Sequence, residues 1–169
     1  MYQKPKVNHY WRIFLLGTSL SAFALPEDKQ QPVVLNADVV SFNQQQHLGT
    51  YQGHIRLDQG STHLRANQAT TKFNHKTELL LAKAWGDSNH PAHFWILPEK
   101  NKPELHAYAE TLSYYPKQQR IKLVGHARIS QGINSFKAPE IQYNLARQQV
   151  LTTPKHHQRT TIIFHHQPK

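Results

Sequence analysis

The chain of 169 residues holds 20 Lys and Arg against 10 Asp and Glu, a formal charge of +10, and no cysteine. Disulfides and thiol chemistry are excluded, and the length suits one domain with a modest core. A positive chain favours anionic partners: nucleic acid, phospholipid headgroups or phosphorylated glycolipid.

The first element reads as an export signal. Lys4, Lys6 and Arg12 form a basic n-region, and residues 13–24 form an apolar run. That run ends in Ala22-Phe23-Ala24, a small-residue cleavage site, which places the mature start at Leu25. It is too short for a membrane span of about twenty residues. Export counts against nucleic acid as the partner and predicts a periplasmic protein.

Beyond the signal, period-2 alternation predicts strands. They fall at 33–42, 51–58, 62–66, 69–74, 78–85, 92–97, 105–114, 120–130, 133–138, 140–145, 149–153 and 159–164. The stretch 77–84 contains helix formers, but it is short and ends at Trp85-Gly86, so strand is preferred. Polar turns separate the strands, which indicates an all-β antiparallel meander.

A motif recurs along this meander. Gly53-His54-Ile55-Arg56-Leu57-Asp58-Gln59-Gly60 returns 72 positions later as Gly125-His126-Ala127-Arg128-Ile129-Ser130-Gln131-Gly132. The match extends from Ala37-Asp38 over Ala109-Glu110 to Leu64-Arg65-Ala66 over Phe136-Lys137-Ala138. One supersecondary unit is used twice, and stacked units bury their core against each other.

Alternation predicts an interior lined by Val33, Leu35, Val40, Phe42, Ile55, Leu57, Leu64, Phe94, Ile96, Leu112, Tyr114, Ile129, Phe136, Ile141 and Tyr143. Two readings stay open. This interior is either an ordinary packed core or an apolar trough between two curved sheets that admits lipid. The facing of residues 36–41 also stays open, because a bulge there could switch sides.

Catalysis is not expected. The chain has no cysteine nucleophile, G-x-S-x-G, H-E-x-x-H or Gly-rich phosphate loop. No cofactor is expected either. Thirteen histidines suggest metal, but the pairs His156-His157 and His165-His166 point to opposite faces of a strand, so neither chelates easily from one strand. The histidines, with Arg56, Arg65, Arg128 and Lys137, read as a solvated outer face; the alternative for some of these basic residues is a place at the groove rim, near sugar phosphates.

The motifs Ala37-Asp38-x-Val40-x-Phe42, Gly53-His54-Ile55-x-Leu57-x-Gln59-Gly60 and Leu64-x-Ala66, with their copies, resemble the OstA-like family of lipopolysaccharide transport proteins. Ala84-Trp85-Gly86 with Pro91-Ala92-His93-Phe94 resembles the family's linking element. Arg159-Thr160-Thr161-Ile162-Ile163 resembles its final strand. The resemblance spans about residues 31–165.

It implies a twisted, slightly open antiparallel β-jellyroll over 25–169, preceded by the signal-peptide helix at 1–24. It also implies that the interior residues above, apart from Val40 and Phe42, line a groove for the acyl chains of lipopolysaccharide. Protomers would join head to tail by edge-strand pairing, linking an LptC-like inner-membrane component to an LptD-like outer-membrane translocon. Two alternatives remain: an LptC-like anchored component of the same pathway, or a generic exported glycan- or lipid-binding β-module.

Overall fold

The computed structural model describes residues 28–153 and 159–164. The predicted signal and both adjacent histidine pairs lie outside them. After a three-residue 3-10 turn at Asp28–Gln30, the described chain forms twelve strands. They are β1 (Val34–Asn36), β2 (Val39–Asn43), β3 (Leu48–Gln59), β4 (Thr62–Phe73), β5 (Leu79–Trp85), β6 (Ala92–Ile96), β7 (Leu105–Ala109), β8 (Thr111–Tyr115), β9 (Arg120–Gln131), β10 (Asn134–Asn144), β11 (Gln149–Thr153) and β12 (Thr161–Ile163).

The repeat is visible strand by strand. β3 starts at 48 and β9 at 120; β4 starts at 62 and β10 at 134; both offsets are 72. β1 and β2 correspond to β7 and β8, and β5 and β6 to β11 and β12.

All pairings are antiparallel, and the four long strands each belong to two layers. In one layer the order is β1, β3, β4, β6, β7, β9, β10, β12. In the other it is β2, β3, β4, β5, β8, β9, β10, β11. No pairing joins the first edge to the last among the described residues, so the jellyroll stays open.

The Gly-His motif makes the corner between layers. The register of β3 against β4 breaks between Gln52 and Ile55. There Gly53 and His54 take φ of 73° and 42°, and their copies Gly125 and His126 take 81° and 46°. Glycine is required in this left-handed bulge because its conformation is strained for other residues. A Cβ on either glycine would also strike the side chain of Asp38 or Glu110.

Those acidic residues turn the neighbouring chain through the same corner. The Asp38 N–H donates to the Gly53 carbonyl at 3.1 Å, and the Glu110 N–H to Gly125 at 3.0 Å. His54 Nδ1 meets the Asp38 carboxylate at 2.7 Å, and His126 Nδ1 meets that of Glu110 at 2.6 Å. The repeated A-[DE] and G-H pairs are thus two halves of one hinge.

This corner explains where the strand boundaries depart from expectation. The predicted strands 33–42 and 105–114 each split in two where the acidic residue crosses layers. Conversely 62–66 and 69–74 are one bent strand, as are 133–138 and 140–145. Residues 79–85 are strand, as preferred. Val40 and Phe42 need a correction: they were expected inside but are 58% and 46% exposed. Their parity is inward, but β2 is an edge strand, and among the described residues no strand lies beyond it to cover them.

Candidate functional site

Cross-strand register builds the inner faces. In the first layer one row runs Leu35, Leu57, Leu64, Phe94, Ala107, Ile129, Phe136, Ile162 across all eight strands. In the second a row runs Val40, Tyr51, Ala69, Ala84, Leu112, Leu123, Ile141, Thr152. The two rows face each other across the interior.

Between them lies an apolar cleft whose free space, counting its open mouth, is about 770 Å³. Eight of the thirteen expected lining residues meet there: Leu35, Ile55, Leu57, Leu64, Phe94, Ile96, Leu112 and Tyr114. The other five do not. Ile129 and Ile141 are buried away from it, and Tyr143 borders a separate small hollow with Leu105 and Gln148. Phe136 packs edge-on against Phe164 at 5.4 Å, and half-buried Val33 precedes β1. The open cleft is therefore walled mainly by the first copy, with Leu112, Tyr114, Ile121 and Leu145 added from the second.

Side-chain size explains the asymmetry. Ala69 and Thr71 in the first copy stand where Ile141 and Tyr143 stand in the second. At Gly49 the space that a larger residue would take is filled by Tyr51 and Thr71. Tyr51 also lines the cleft, on the face that alternation gives it with Ile55 and Leu57; Ala69, Thr71, Ala82 and Ala84 line it too, and hydrophobic patterning missed them because such small residues carry little apolar signal. Overlaying the two copies for residue size would have found them.

The wall is electrically quiet. Its described lining includes no carboxylate, and Lys83 is its single cation, placed on the outward row with Thr70 and Ser113. Burial pushes the Tyr114 phenol up to about 12 and raises that of Tyr143. Tyr51 Oη and Thr71 Oγ1 satisfy each other at 3.1 Å. This described lining can exclude water from hydrocarbon.

The polar chemistry sits on the outer face. Asp58 accepts from Arg56 at 2.8 Å and Arg65 at 3.2 Å and meets His63 Nδ1 at 2.6 Å. Burial would raise the Asp58 carboxyl, but the bonds to His63, Arg56 and Arg65 outweigh it and hold the group at about 2. Next to this network, His63, Trp95, His93 and Tyr108 stack ring on ring, with centroids 4.8, 4.4 and 4.0 Å apart. Burial first, then the nearby charges of His106 and Arg65, lowers His93 to about 4. Sequence reading had the histidines, Arg56 and Arg65 as a solvated outer face and did not find the network. Among the described residues no group of three His, Cys, Asp or Glu could hold a metal ion.

Comparison with known proteins agrees with this architecture. Residues 35–149 match the family model described as LptA/(LptD N-terminal domain) LPS transport protein. The lipopolysaccharide export system protein LptH of Pseudomonas aeruginosa is 33% identical over 133 residues, covering 79% of this chain and 74% of that protein. Lipopolysaccharide export system protein LptA of Escherichia coli K12 is 24% identical over 151 residues, covering 89% and 80%. The crystal structure of LptH, the LptA-homologous periplasmic component of the Pseudomonas aeruginosa lipopolysaccharide transport device, superposes with a TM-score of 0.73 at 27% identity. It covers 85% of this chain and 100% of that one. The chain belongs to the family of LptA and LptD N-terminal domain lipopolysaccharide transport proteins.

Proposed function

We propose that this chain carries lipopolysaccharide across the periplasm, holding acyl chains in the cleft between its layers. The observation that carries the reading is the apolar trough itself, lined from both layers and open to solvent, in a member of this family. Each methylene moved from water onto such a wall gains about 0.8 kcal/mol, so a single chain of about ten methylenes gains about 8 kcal/mol. A trough without a closed, specific pocket covers hydrocarbon and still lets it slide. The reading assigns the chain no catalysis. It includes export by residues 1–24, with cleavage after Ala24.

The second part of the proposal is a bridge. Among the described residues, eight of the nine exposed large hydrophobics lie on the edge strands or beside them: Val34, Val39, Val40, Phe42, Leu151, Ile162, Ile163 and Phe164. An uncovered apolar edge pairs with another chain. The molecule contains a template for that joint, because β6 and β5 meet β7 and β8 just as β12 and β11 would meet β1 and β2 of a second protomer.

Transferring the internal register sets Ile162 against Leu35, and Thr152 against Val40, of the next protomer. Such a contact is head to tail and need not close. The same edges would serve an LptC-like component at one end and an LptD-like translocon at the other. A mixture of Ile162→Cys and Leu35→Cys proteins should form a disulfide dimer on oxidation, since paired Cα atoms lie about 5 Å apart. Persistence of monomer, with both variants folded, would leave a diffusing shuttle as the mechanism.

A further inference from the structure

The two copies treat one pair of cations differently. In the first, Arg56 and Arg65 are directly opposed on the outer face of β3 and β4. Like charges so placed repel, and Asp58 bridges both. In the second copy, Arg128 and Lys137 stand opposed in the same way on β9 and β10. The residue that replaces Asp58 is Ser130, and Ser135 replaces His63. Arg128 and Lys137 are exposed and have no hydrogen-bond or ion-pair partner among the described residues.

Both cations line an outer hollow, together with Arg159 and Thr161, whose free space including its wide mouth is about 1680 Å³. The acids on its wall are already engaged. Glu110 holds His126 at 2.6 Å, and Glu140 holds Lys122 at 3.0 Å. Among the described residues its lining brings three cations, Arg128, Lys137 and Arg159, against these two engaged carboxylates.

We propose that this hollow binds a phosphorylated saccharide, whose anionic group bridges Arg128 and Lys137 as Asp58 bridges Arg56 and Arg65 in the first copy. Two opposed cations suit phosphate oxygens through charge-assisted hydrogen bonds. The hydroxyls of Thr153 and Thr161 suit a sugar. An acidic peptide fits less well, because a protein partner needs apolar anchors. The exposed large hydrophobics lie along the sheet edges and at Ile133, outside this hollow. The site lies on the outer face, away from the cleft, so it is independent of acyl-chain binding.

The test titrates full-length mature protein, isotope-labelled, with fully deacylated lipopolysaccharide, which keeps its sugar phosphates and has no acyl chains. Its dephosphorylated form, inorganic phosphate and a hexa-aspartate peptide complete the set. The phosphorylated oligosaccharide should shift the amide resonances of Arg128, Ser130 and Lys137. Ser130→Asp, which copies the arrangement of the first repeat, should weaken binding at least about tenfold with melting unchanged. Lys137→Gln should weaken it by several-fold and serves if the aspartate variant does not fold. Wild-type affinity in both variants would overturn the proposal. So would equal binding of the dephosphorylated sugar, tighter binding of hexa-aspartate, or saturation by inorganic phosphate alone, which would mean an adventitious ion only.

Discussion

Replacing Leu57 with aspartate puts a charge on the cleft wall. Leu57 stands between Leu35 and Leu64 on the inner row, half-buried at the open trough. In the empty protein the carboxylate is hydrated through the mouth, so the fold tolerates it. Under an acyl chain it must lose that water or take a proton. Such burial raises a carboxyl by about 3 units, and at about 1.36 kcal/mol per unit the charge costs roughly 4 kcal/mol at neutral pH. Lipopolysaccharide affinity should fall about a thousandfold.

The pH dependence identifies the cause. The carboxyl has a higher pKa in the complex than in the free protein, so the penalty is full above the bound value and fades as pH falls toward about 4. Leu57→Asp should recover affinity on acidification, and Leu57→Asn should show a smaller defect that does not vary with pH. Displacement of a fluorescent acyl probe by lipopolysaccharide, alongside thermal melting, measures both. Unchanged affinity at neutral pH in a variant that melts like the parent would refute the placement of the cleft.

Other consequences are structural. Gly53→Ala and Gly125→Ala should each cost about 1–3 kcal/mol in denaturant unfolding, from positive φ and collision with Asp38 or Glu110. Asp58→Asn should lose about 2 kcal/mol near neutral pH. Because the folded pKa of Asp58 is depressed, that difference from the parent should shrink as pH falls from about 4 toward about 2. His93 works in the opposite pH window. Its folded value of about 4 lies below the ordinary 6.5, so the unfolded chain takes the proton first and stability drops as pH falls between those values. His93→Phe should flatten that part of a melting-against-pH curve.

Much of this molecule is legible in its sequence, for identifiable reasons. Alternation placed Ile55 and Leu57 inward and His54 and Arg56 outward, because a strand fixes its faces with period two. Repetition of Gly53-His54 at Gly125-His126 marked a shared backbone need, although its nature as a hinge with Asp38 and Glu110 appeared only in three dimensions. Val40 and Phe42 show the limit of parity: facing inward buries a side chain only if a neighbour covers it. Where the interior stays open depended on volume rather than polarity, as in Ala69 against Ile141. The Asp58 network joins residues from two strands and depends on cross-strand register, which alternation does not set. The change from Asp58 to Ser130 was visible in the aligned copies, but its meaning required seeing Arg128 and Lys137 opposed, with no bridging carboxylate among the described residues.

The central claim is that lipid travels on the inner face of the jellyroll. Photo-crosslinking residues introduced singly at Leu57, Leu64 and Phe94, and on the outer face at Arg56, His63 and Arg65, test it in living cells. The account predicts lipopolysaccharide adducts at the three inner positions and none at the three outer ones. Adducts at the outer positions, or none at the inner positions of a folded, exported protein, would contradict it.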